Sequence, residues 1–90
     1  MTLPDDVLRA IGQFPDDERD LLRILLDEVL RATATTEGAR VVRCVLWLGT
    51  DFAKLEHYAR AAKTDYRDVI WWAEYDGGET QLRDFTKPIP

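Results

Sequence analysis

The chain has one cysteine, one histidine, no long apolar run and no excess of basic residues. Each scarcity closes off a class of function. A lone Cys44 cannot form an internal disulfide, and it lies in the apolar run Val41 to Leu48, where it is expected to be buried as a small hydrophobe. Cys44 and His57 together fall short of a metal site, which needs several His, Cys or carboxylate ligands at recognised spacing. No Gly-rich phosphate loop, nucleophile elbow or His-Glu-x-x-His pattern occurs. We therefore expect no metal, no cofactor and no catalytic residue, and a protein that is not an enzyme. Nothing apolar approaches the roughly 20 residues of a membrane span. The N-terminus, MTLPDDVLRA, carries acids where a signal peptide needs a basic segment and an apolar core, so a cytoplasmic location without membrane attachment is expected. With 17 acids against 12 bases the net charge is −5, which disfavours nucleic acid and anionic lipid as partners.

What is present is a globular composition, 46% hydrophobic and 32% charged over 90 residues, enough for one domain around one core. The first helix is expected from about Pro4 to Gln13, with Pro4 in the first turn, Asp5 and Asp6 near the positive helix end, and Val7, Leu8 and Ile11 on one side. Phe14 and Pro15 break it. A second helix starts with Asp16, Asp17 and Glu18 and places Leu21, Leu22, Leu25, Leu26, Val29 and Leu30 on a wide apolar face. Thr33, Thr35, Thr36 and Gly38 then mark a connection.

Arg40 to Leu48, RVVRCVLWL, is the ambiguous stretch, because β-branched residues suit a buried strand while Gly49 and Thr50 look like a helix stop and the next start. Helix is preferred, since Thr50 or Asp51 caps a further helix in which Phe52, Leu55, Tyr58, Ala59 and Ala62 recur at helical spacing. Thr64 or Asp65 caps a last helix. The expectation is a compact all-α bundle of about five short helices in a single domain, residues 1–90. Its tail, residues 77–90, is an extended arm packed on the domain. The alternative is an α+β fold with a small sheet from 40–48, 69–75 and 80–85, the last two joined as a hairpin through Asp76, Gly77 and Gly78.

The last helix is unusual in carrying two apolar faces. Advancing 100° per residue puts Tyr66, Val69, Ile70 and Ala73 on one side, with Trp71, Trp72 and Tyr75 opposite. One face can enter the core; the other must be covered by the tail, through Leu82, Phe85 and Ile89, or by another molecule. Trp and Tyr dominate interface hot spots, so Trp71, Trp72, Tyr75, Arg67 and Phe85 are the candidate interface residues. Arg67 and Glu74 lie on the flank between the faces, where an ion pair or a polar rim is expected. The carboxylates cluster at helix starts, which the helix dipole and orphan amides explain without acid/base chemistry. His57 falls with Lys54 and Arg60 on the polar side of its helix, as a solvated side chain.

Leu55 to Trp72 can also be laid on a helix-turn-helix register with its turn at Lys63 and Thr64. Charge argues against DNA: Asp65 to Asp76 holds four acids against Arg67 alone, a net charge of −3. The segment DYRDVIWWAEYDG resembles the C-terminal part of small bacterial helical proteins in which Asp-aromatic-Arg-Asp-Val precedes Ala-Glu-Tyr. The resemblance covers Asp65 to Tyr75, implies a bacterial cytoplasmic origin, and brings no catalytic or binding residues. The functional expectation is a small interaction or regulatory module, acting as a homodimer or on a protein partner. Two alternatives stand beside it: a helix-turn-helix-like DNA-binding regulator, and a small subunit of an oligomeric enzyme or ligand-binding protein with Arg67, Glu74 or His57 at a dimer-interface pocket.

Overall fold

A computed structural model describes residues 3–33 and 36–89, and it contains five helices and no strand among them. Thr35, part of the expected connection, and Pro90, the end of the expected arm, lie outside the described residues. The helices are α1 (Asp5–Ile11), α2 (Asp16–Ala32), α3 (Gly38–Leu48), α4 (Phe52–Thr64) and α5 (Tyr66–Tyr75). None is long and apolar enough to cross a membrane.

The segment that could have been a strand is the centre of the bundle. α3 packs against each of the other four helices, and Val41, Val42, Cys44 and Val45 are all completely buried. A helix contacted on most sides loses its polar face, which is why its sequence reads as a continuous apolar run. The α+β alternative is thereby overturned: 40–48 and 69–75 are helical, and 80–85 has no strand partner among the described residues. Gly49 ends α3 with its N–H on the Val45 carbonyl. A Cβ here would sit 2.5 Å from Leu55 Cα, so α3 and α4 meet closely at this turn only because the residue is glycine.

The remaining helices bury narrower stripes. α2 buries Leu22, Leu26, Val29 and Leu30, but Leu21 is exposed, so its apolar face is narrower than the leucine pattern suggests. Pro4 occupies the N-cap position of α1 and not its first turn. Asp51, rather than Thr50, caps α4 by accepting from Lys54 N–H at 2.9 Å. Asp65, rather than Thr64, caps α5 and is also the residue that ends α4. The two helices are thus joined through one residue, not by a turn at Lys63 and Thr64.

At the end of α5 the chain reverses through Asp76 and Gly77, both in the left-handed region at φ 49° and 74°. The tail then crosses the bundle without regular structure. Leu82 and Arg83 donate their N–H groups to the Glu74 carbonyl, Phe85 is fully buried in the core, and Ile89 N–H donates to Asp6 on α1.

Candidate functional site

One buried and one partly buried carboxylate hold the tail in place. Glu74, with no exposed surface, accepts from Arg40 Nη2 and Gln81 Nε2 on Oε1 at 2.6 and 2.7 Å, and from Arg40 Nε and Phe85 N–H on Oε2 at 2.7 and 3.1 Å. Burial pushes this carboxyl up, but the Arg40 guanidinium, Phe85 N–H and Gln81 amide outweigh burial and hold it below its ordinary value. Asp6 is the second anchor. It takes Arg43 Nε and Nη2 at 2.9 and 3.2 Å together with Ile89 N–H at 3.0 Å. There too burial raises the carboxyl and Arg43 with Ile89 lowers it, with a net displacement downward. Arg43 extends the network by donating from Nη1 to the Phe85 carbonyl at 3.2 Å. Every oxygen of both carboxylates is engaged, which makes these groups structural anchors.

The tail so fixed completes a concave surface. A groove of about 560 Å³ lies between the turn that joins α1 to α2 and the turn that joins α3 to α4. Phe14, Leu46, Trp47 and Phe52 line it with Ile89 from the tail, and Glu18 and Asp51 are its two acidic lining residues. Trp47 is the large aromatic of this group left 39% exposed. Its ring is fixed by Phe85 at 5.7 Å between centroids and by the Arg83 guanidinium at 5.0 Å. Arg83 is in turn held by Asp76 and by the Ala73 carbonyl.

The residues expected to form one aromatic interface are dispersed. Trp71 is 47% exposed, and its indole N–H donates to the Gly78 carbonyl at 2.9 Å. Trp72 is partly buried against Tyr58, 6.0 Å between ring centroids, and Tyr75 is also partly buried. Phe85 presents no surface at all. It enters the core beside Trp47, while Leu82 projects into solvent. Arg67 pairs with Asp65 at 3.0 Å and not with Glu74, whose partner is Arg40. His57 is exposed on α4 with its ring edge-on to Tyr58, so Arg67, Glu74 and His57 do not meet within this chain. Cys44 is buried, and burial foremost, with the nearby Glu74 charge, pushes its thiol up to about 12.

Local periodicity does not reveal the groove, because Phe14 lies far in sequence from Trp47 and Phe52 and the three belong to no single periodic face. Their shared signal is position: each sits beside a chain break, at Pro15 or at Gly49. No protein-family model, curated protein or solved structure matches the chain.

Proposed function

We propose that the chain is a non-enzymatic protein-interaction module whose docking surface is the groove between the α1–α2 and α3–α4 turns. The observation that supports this reading most is the convergence of Phe14 from the α1–α2 turn with Trp47 and Phe52 from either side of the α3–α4 turn on one concave surface. A half-exposed Trp held rigidly at such a surface has the character of an interface hot spot. The groove's volume falls within the roughly 300–1,000 Å³ typical of binding sites. Its Ile89 wall is fastened by Asp6, so the surface is organised before any partner arrives and less entropy is lost on docking. The test is site-specific photo-crosslinking from Gln13, an exposed lining residue, with exposed Leu21 on α2 as the control position. The reading expects an adduct from position 13 alone. Mass spectrometry would identify its protein, which as a purified component should shift the Trp47 indole resonance. Equal adducts from both positions, or none from position 13, would sink it.

A second reading follows from Trp71. Its one polar atom is already satisfied by Gly78, so the exposed ring offers apolar area for self-association. Sedimentation equilibrium over a wide concentration range should then show dimer for the native chain and monomer for Trp71→Ala. The thermal midpoint should move by no more than a few degrees, because an exposed ring and one exposed hydrogen bond contribute about 0.5–1 kcal/mol. DNA is not the partner proposed, since α5 with its caps carries a net charge of −3.

A further inference from the structure

The rim of the groove is charged on one side only. Its lining includes the carboxylates of Glu18 and Asp51 and no basic residue. Asp16 and Asp17 extend the acidic edge along the first turn of α2. Three bases touch lining residues, while Arg9 adjoins Ala10 and Lys87 stands near Ile89 in the chain. Arg19 donates to the Phe14 carbonyl but is neutralised by Asp16, and Arg83 over the Trp47 ring is neutralised by Asp76. Lys54, at 3.5 Å from Thr50 Oγ1, is the third. None of these bases lines the groove, so the lining itself carries two acids and no base. The starts of α2 and α4 add the equivalent of about half a positive charge each, so Glu18 and Asp51 still leave the lining negative.

An apolar floor under a negative rim selects for an apolar residue flanked by positive charge. Resting on the groove as the docking surface, we propose that its occupant is a basic amphipathic helix of a partner protein. Its aliphatic or aromatic anchors enter between Phe14, Trp47 and Phe52, and its Lys or Arg side chains lie over Glu18 and Asp51. The groove is open along one side and spans two inter-helix turns, which suits anchors spaced along a helix better than one enclosed small molecule. The chain's net charge of −5 favours the encounter and opposes a second copy of itself as the occupant.

The experiment uses the full chain and two synthetic helical peptides with leucines at i, i+4 and i+7. One peptide carries lysines on the flanking positions and the other glutamates. Binding is read by calorimetry and by the Trp47 indole resonance. The lysine peptide should bind, shift Trp47, and weaken as salt is raised. In E18Q/D51N its affinity should fall about threefold to tenfold, as for two rim charges. Asn at position 51 still caps α4, so the fold is retained. If both peptides shift Trp47 with equal affinity, the basic occupant is wrong while the docking surface stands. If neither shifts Trp47, the docking surface falls as well. If protein alone shifts Trp47 on concentration and sediments as a dimer, a second copy occupies the groove and the proposal is overturned.

Discussion

Glu74 shows how one side chain can determine the path of a chain segment. It lies on α5 next to Ala73, fully buried, and gathers Arg40 from α3 with Gln81 and Phe85 from the tail. Replacing it by Ala would leave the Arg40 guanidinium with Glu37 alone and the Phe85 N–H without its partner, at a cost of about 3–5 kcal/mol. Glu74→Gln keeps an acceptor and the shape but loses the charge, and should cost less, about 1–3 kcal/mol. Urea denaturation of the two variants checks the order; equal and small losses would mean that the network contributes little. Helical spacing puts Glu74 on the flank between two apolar faces, where a polar rim is expected, whereas the structure buries it completely. The spacing could not name the partner, because Arg40 is separated from Glu74 by 34 residues, comprising most of α3, all of α4 and most of α5, and offers no local periodicity to read. Arg67, only seven residues away, was the nearer choice and proved to be engaged with Asp65.

At the level of elements, helix positions were legible because caps and breakers are local. Pro4, Asp16, Gly49, Asp51 and Asp65 mark starts and stops within a residue or two. The tail was legible as irregular chain from its glycines and prolines, but its route was not, since Leu82, Phe85 and Ile89 are equivalent in hydropathy and only tertiary packing separates them. Phe85 is buried, Ile89 lies at the groove, and Leu82 is exposed. A chain ending at Gly78 is therefore expected to lose more than a cover for the α5 aromatics. Removing Phe85 alone corresponds to about 3–5 kcal/mol, and Glu74, though still paired with Arg40, loses the Gln81 amide and the Phe85 N–H, which adds to that. The thermal midpoint should fall by at least ~15 °C, or folding should fail. Far-UV circular dichroism on heating measures it. A truncated chain that melts with the full one would show that the tail is a passive strap. The groove would also lose its Ile89 wall, so binding and folding defects are expected together in this variant.

For the whole molecule, the two tail anchors tie stability to acid. Glu74 and Asp6 both have carboxyls lowered in the fold from ordinary values of 4.5 and 3.8. A lowered carboxyl is bound less tightly by protons in the folded state than in the unfolded chain. Its contribution is therefore complete above the unfolded value and is lost as pH falls through the folded one. Stability should be flat above about pH 5 and decline steadily below it. Asp65, Asp76 and Asp84 are lowered as well, but they sit in solvent and their contributions are screened. The decline should thus come mainly from the anchors, and it should be shallower in Glu74→Gln, where one titrating anchor is gone, even though that variant starts less stable. Urea midpoints measured from neutral pH down to about pH 3 decide the matter. Convergence of the two curves in acid locates the acid sensitivity in the strap that joins α5, α3 and α1, whereas parallel curves would assign it to the surface carboxylates. Because Asp6 fastens the Ile89 wall, the same acid titration should open the groove before the helices melt, and the Trp47 resonance should move at a higher pH than the circular dichroism signal.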